Sequence, residues 1–363
     1  MRIFVTINQF QTMISFMIYG ANGFVGQELA REAVSRGLQP ILAGRNKEAL
    51  AALASELDLV YKIFDLRHQQ EVNQALRGLT LLMNCAGPFK YTYQPLVEAC
   101  LKEKLHYLDI TGEIPVFQAI QARDAEAKSA GVMLMPGSGF DVVPTDCLAL
   151  YLKNKLPAAV ELMLAYHAEG PARLPPGTAK TSVEMIPFGI NVRVDGNLKQ
   201  ATDPFATRMI DFGSGPREAI RLNWGDVFTA FYSTGIPNIS NYAVLHPKLI
   251  QRMKKVRKIR FLFRLKWFRA RMQKQLKGGS TPEQRAQSTM HVWGEVKDPF
   301  GNVVQARLHG PEAGVVWTVK TCLDAIQEIE KGRILPGFQT PASVFGADFV
   351  LTGSGIIRED VRI

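Results

Sequence analysis

Short apolar runs alternate with stretches of helical periodicity along the first 135 residues, the pattern of a parallel sheet with helices on both faces. Ile14–Tyr19 is the first run, and Gly20-Ala21-Asn22-Gly23-Phe24-Val25-Gly26 carries it straight into a helix-like stretch. Pro40–Gly44 predicts a second strand and 46–56 a helix. Leu59–Phe64, ending in Asp65, predicts a third strand, followed by a helix over 68–77 and a fourth strand at Leu79–Asn84. Helices over 93–104 and 115–129 then alternate with strands at His106–Ile110 and Val132–Met135. Every connection is short, as such units require.

Pro136-Gly137-Ser138-Gly139 breaks the rhythm, so the first domain spans 13–136. Residues 137–335 mix alternating runs with glycine and proline turns and read as a mostly antiparallel sheet with flanking helices. Thr289–Val296 and Val303–Leu308 form a hairpin around Asp298–Asn302. A helix is expected near 315–331. In the segment 336–363, Pro336–Pro341 opens a further helix over 342–351, and this segment is expected to return to the first domain. The fold class is therefore α/β: a doubly wound parallel sheet plus a second α+β domain. Residues 1–12 precede the first strand as an extension.

Composition narrows the picture. A chain of 363 residues, 47% apolar, buries a large core in two domains. No apolar run reaches the roughly 18 residues that span a bilayer, and no basic region followed by an apolar stretch marks the N-terminus for secretion. Cys85, Cys100, Cys147 and Cys322 are too scattered for a metal pattern and read as core residues in a reducing cytoplasm. The net charge of +10 is local: Lys248 to Lys277 holds 13 Lys or Arg and no acid, so the remainder carries 10 − 13 = −3.

The glycine turn is the first chemical signal. Gly20 permits the tight turn off the strand, Gly23 lets backbone approach a pyrophosphate, and Gly26 lets the helix pack closely on the sheet. Asn22, Phe24 and Val25 complete an anion cradle of amides at a helix start. The alternative is a turn without a ligand, but the preceding strand and following helix supply the context that dinucleotide binding needs. Arg45 stands after the second strand, where NAD-binding sites usually place a carboxylate. A guanidinium there grips a 2′-phosphate, which favours NADP(H); the alternative is a solvated arginine opening a helix.

Ligands of such sheets sit beyond the carboxyl ends of the strands. Asp65 there is positioned to accept from an adenine amino group. Ala86, Gly87 and Pro88, in Cys85–Phe89, leave room for the cofactor. Thr111 and Glu113 put a hydroxyl and a carboxylate at the crevice mouth, and Asp141 follows the sixth strand. Thr145 and Asp146 fit a helix cap as well as a site. Tyr91 or Tyr93 is the candidate proton donor, oriented by Glu113 or Asp141; no Tyr-x-x-x-Lys pair sits where it is needed.

Gly20–Gly26, Asn84–Phe89, Tyr107–Glu113 and Gly139–Asp146 follow one another at spacings that resemble the saccharopine dehydrogenase-like oxidoreductases, in the branch with the trans-acting enoyl reductases. Gly177-Thr178-Ala179 with Ser182, Asp195-Gly196, Trp224-Gly225-Asp226, Ser233–Asn238 and Pro336–Ala342 extend the resemblance over nearly everything from Met13 onward. It implies a Rossmann domain joined to a substrate domain, and NAD(P)H-linked reduction. Leu174-Pro175-Pro176 and Arg193-Val194 depart from the family pattern, both in the substrate domain. Saccharopine itself is not the expected substrate, because no cationic cluster outside the basic segment would clamp an amino-diacid.

In the basic segment, Leu249, Met253, Val256, Ile259, Phe263, Trp267 and Ala270 recur at steps of three or four, one stripe of a helix, widened by Phe261, Leu262, Leu265 and Phe268. Such a helix covers the protein's own core, lies on anionic membrane, or docks an acyl carrier or coenzyme A thioester. Nucleic acid is disfavoured for want of a groove-reading motif. The leading expectation is an NADP(H)-dependent oxidoreductase of a hydrophobic acyl or lipid-like substrate, cytoplasmic or at a membrane surface. The alternative is a non-catalytic NADP(H)-binding redox sensor or scaffold at a membrane. A homo-oligomer is left open.

Overall fold

The computed structural model describes residues 14–275, 279–352 and 355–361; the expected 1–12 extension and the end of the basic segment lie outside them. Six short strands follow the apolar runs: β1 (Phe16–Tyr19), β2 (Ile41–Gly44), β3 (Tyr61–Ile63), β4 (Leu81–Asn84), β5 (His106–Asp109) and β6 (Met133–Met135). Between them lie α1 (Phe24–Ser35), α2 (Lys47–Leu57), α3 (Gln69–Leu76), α4 (Tyr93–Glu103), α5 (Ile114–Gln121) and α6 (Asp124–Ala130). The expected helix over 115–129 is thus two, separated at Ala122-Arg123. All four residues of β1 and of β4 are buried, as parallel strands covered on both faces must be.

α7 (Val143–Lys155) leads into the second sheet, formed by β7 (Glu161–Glu169), β8 (Asn191–Val194), β9 (Asn197–Gln200), β10 (Thr207–Asp211), β11 (Pro216–Arg221), β12 (Asn238–Ala243), β13 (Thr289–Lys297) and β14 (Val303–Pro311). Around it run α8 (Pro176–Met185), α9 (Asp226–Thr234), α10 (Pro247–Lys258), α11 (Lys266–Lys274), α12 (Pro282–Ala286) and α13 (Thr318–Glu330). The expected hairpin is β13–β14, paired Thr289 to Pro311 through Lys297 to Val303. Asp298 closes its turn by accepting from the amides of Phe300 and Asn302, each at 2.9 Å. Most pairs are antiparallel; β7 and β12 run parallel.

The tail serves both sheets. β15 (Gly337–Phe338) pairs parallel with β6 as a seventh strand, giving the order β15-β6-β5-β4-β1-β2-β3. α14 (Pro341–Phe345) is shorter than the helix expected there, because Gly346 ends it at φ 88°. β16 (Ile357–Val361) then pairs with β14. One apolar core, from Phe16 and Ile18 through Leu148 to Trp317 and Ile326, runs through both layers. The crevice beyond the carboxyl ends of the first sheet therefore has a rigid floor and a wall from the second domain.

Candidate cofactor and substrate site

Gly20 takes φ 82°, and a Cβ there would lie 2.9 Å from the Cβ and amide nitrogen of Ala86, so the turn off β1 packs against the end of β4. A Cβ on Gly26 would sit 2.3 Å from the Gly20 carbonyl oxygen. Only glycine allows α1 to start that close to the strand. The helix begins at Gly23 with no side chain capping it and no acid in its first turn. Its first amides and its dipole are left for an anion. Asn22 is held by Gln27 Nε2, which donates to its carbonyl at 3.0 Å.

These atoms open onto a cavity of about 1290 Å³. Gly20, Asn22, Gly23, Phe24, Val25 and Arg45 line it, as do Ala86, Gly87, Gly112 and Asp141. Arg45 is exposed, and Asn46 beside it caps α2 by accepting from Ala49 N at 3.0 Å. The helix start thus has its own cap, leaving Arg45 free to face the cavity.

Several expected residues do other work. Asp65 accepts from the Arg67 amide at 2.9 Å and pairs with the Arg67 guanidinium at 2.9 Å, which holds its carboxyl down at about 2. It does not line the cavity. Pro88 and the buried Thr111 do not either; the Thr111 hydroxyl accepts from Glu113 N at 3.0 Å. The buried Glu113 carboxylate accepts from Phe89 N at 2.7 Å and Lys90 N at 3.2 Å, fixing the turn that follows β4. Burial pushes it up to about 7 although those amides pull the other way. Tyr91 is 54% exposed beneath the Lys90 ammonium, and Tyr93 opens α4 with its ring partly packed on the core. Neither lines the cavity, so the geometry gives no support to a proton-donor role for them.

Asp141 stands differently. It lines the cavity, and among the described residues its carboxylate accepts no hydrogen bond from the protein; burial pushes it up to about 7. Tyr166, on β7, lines the same cavity and packs on Trp224, centroids 4.6 Å apart. Burial, with the neighbouring Asp141 and Asp226 carboxylates, raises its phenol well above the ordinary value. Sequence reasoning passed over Tyr166; its place in the alternating run Leu162–Ala168 was the available signal.

Below these groups lies a polar frame. Tyr107 OH donates to Asp109 Oδ2 at 2.8 Å, and Asp109 Oδ1 accepts from Thr111 N and Gly137 N, both at 2.9 Å. Asn84 Nδ2 donates to Tyr107 OH at 3.1 Å, and Asn84 Oδ1 accepts from Ala86 N at 3.0 Å. This network pins the ends of β4, β5 and β6 in register. Asp146 is likewise structural: buried in α7, it bonds Ser233 and the Ala342 amide, tying the tail to the second domain.

The remaining wall is apolar and comes from the second domain: Ile186, Phe205, Leu245, Leu249, Met253 and Val256 line it, with Arg252, Arg257 and Arg260 alongside. Three cations of the basic segment therefore border the site.

The fold and cradle define a dinucleotide-binding protein with a second domain that walls the same cavity. Residues 16–135 match the saccharopine dehydrogenase NADP binding domain, which gives NADP(H) as the cofactor. The chain is 30% identical over 200 residues to a saccharopine dehydrogenase-like oxidoreductase of Homo sapiens, covering 48% of this chain and 46% of that one. It is 29% identical over 148 residues to the trans-acting enoyl reductase of Mycobacterium ulcerans, covering 38% and 34%. The fold matches apo saccharopine dehydrogenase (L-Glu forming) from Saccharomyces cerevisiae with TM-score 0.67 at 11% identity, over 96% of this chain and 100% of that one. The chain is thus similar to saccharopine dehydrogenase-like oxidoreductases, and its matches span about half the length, or less, of these curated relatives.

Proposed function

We propose that the chain is an NADP(H)-dependent reductase of a hydrophobic acyl or lipid-like substrate with a carbonyl, imine or activated double bond. The observation that carries this reading is the continuity of one cavity, from the amides of α1 and Arg45 to the apolar wall around Met253 and Val256. When bound, NADPH supplies the hydride. The chain's residues do the rest. The α1 amides hold the diphosphate and Arg45 the 2′-phosphate. The Asp141 carboxyl, pushed up to about 7 by burial, is partly protonated at neutral pH and is matched to protonate the reduced substrate. Tyr166 stays a neutral phenol and offers a second donor. The apolar wall excludes water and selects an alkyl chain, and Arg252, Arg257 and Arg260 favour an anionic head on it. The relative named as an enoyl reductase supports the acyl class.

The test is NADPH oxidation with enoyl and acyl thioesters, ketones and imines of increasing chain length. Turnover that rises with chain length is expected. Tight NADPH binding without turnover across the series would return the protein to the sensor or scaffold class.

A further inference from the structure

The basic segment is not the single helix its periodicity predicted. It breaks at Ile259 and again at Leu265 into α10, a 3₁₀ turn (Arg260–Arg264) and α11, and the break sorts its apolar side chains into three groups. Met253 and Val256 line the cavity. Phe263 is 1% exposed and meets Phe268 edge-on at 4.9 Å. Ile259, Phe261, Leu265 and Trp267 point outward, 40%, 61%, 44% and 64% exposed. The buried Arg269 anchors the fold of the segment: its Nε pairs with Glu184 on α8 at 2.7 Å, and its Nη1 donates to the Arg264 carbonyl at 3.0 Å. The outward apolar residues are therefore held in place, not left over from a missing core.

We propose that this face docks on an anionic lipid bilayer, with Ile259, Phe261, Leu265 and Trp267 seated at headgroup depth. Charge complementarity selects the occupant. Lys255, Lys258, Lys266 and Arg271 surround these side chains, exposed and in no ion pair among the described residues, in a stretch with no acid to repel phosphate. An acidic carrier protein would answer the cations, but four large apolar side chains interleaved with lysine are the pattern of an interfacial segment, and tryptophan favours that depth. Because α10 is cavity wall on one side and adjoins the docking face on the other, a lipid-like substrate passes between bilayer and cavity across α10. That last step rests on the function proposed above; the docking does not.

The test uses the full chain, without NADPH or substrate, mixed with vesicles of phosphatidylcholine alone or with phosphatidylglycerol added. Flotation with the mixed vesicles only, a blue shift of tryptophan emission that Trp267→Phe removes, and release by salt are expected. Phe261→Ser/Trp267→Ser and Lys255→Glu/Lys258→Glu should each cut the bound fraction roughly tenfold or more, with unchanged NADPH binding reporting that the fold is intact. Failure to float with either vesicle, flotation unchanged in both double variants, or capture by an acidic acyl carrier protein without flotation would overturn the proposal. Vesicle binding needs no turnover, so an inactive protein that still floats refutes only the reductase reading.

Discussion

The two halves of the cavity are made of different material. On the cofactor side the wall is largely backbone: the turn at Gly20–Gly23, the uncapped start of α1, and Ala86-Gly87 at the end of β4. On the substrate side it is side chain, contributed by β7, α8, α10 and the loop holding Trp224. A backbone cradle tolerates almost no substitution, because a single Cβ displaces the ligand or the turn. A side-chain wall is tuned residue by residue, so one fold serves many substrates. The difference predicts all-or-none losses on one side and graded ones on the other.

The largest expected effect is on the backbone side. Gly26→Leu drives a Cβ to within 2.3 Å of the Gly20 carbonyl, and it should abolish the rise in melting temperature that saturating NADPH gives the wild type, a rise of about 2.7 kcal/mol in stability at 100-fold excess over Kd.

Asp141→Asn comes next. It should lower kcat by about 10²–10⁴-fold while NADPH affinity holds. A pH profile sharpens this: with Asp141 acting as an acid pushed up to about 7, wild-type kcat should fall as pH rises through about 7. Stability follows the same group. The folded carboxyl titrates above its ordinary 3.8, so its favourable contribution is full below that value and lost by about pH 7. Asp141→Asn lacks this loss and should melt about 2–5 °C higher than wild type at pH 8. An unchanged melting point there would mean the carboxylate is well solvated.

The smallest effect separates cavity residues from bystanders. Tyr91→Phe and Tyr93→Phe should leave steady-state turnover within about twofold of wild type, since surface substitutions that touch no such feature change little. A large loss from either would place a tyrosine in the site that the cavity wall does not show.

Sequence carried the first sheet almost to its boundaries: β1, β4, β5 and β6 fall within their apolar runs because each is a short, almost wholly buried strand. β15 was not legible, since two residues carry no period. Glu113 looked like a carboxylate at the crevice mouth because sequence shows its position after β5 but not the Phe89 and Lys90 amides that turn back to meet it. The basic segment kept a helical stripe over its whole length, yet the chain breaks at Ile259 (φ −112°, ψ 15°) and Leu265; periodicity records spacing and not the points where the direction changes. Tyr166 and the wall it belongs to come from strands and helices far apart in the chain, where no local pattern points to a shared surface.

The central claim is that the α1 cradle and Arg45 together bind NADP(H). Calorimetric titration of wild type and Arg45→Glu with NADPH and with NADH tests it most directly. The account predicts wild-type preference for NADPH by roughly tenfold or more, each lost charge-assisted contact being of that order, and an Arg45→Glu protein in which the preference is gone or reversed. Equal affinity of the wild type for both dinucleotides, or an Arg45→Glu protein that still prefers NADPH, would contradict it.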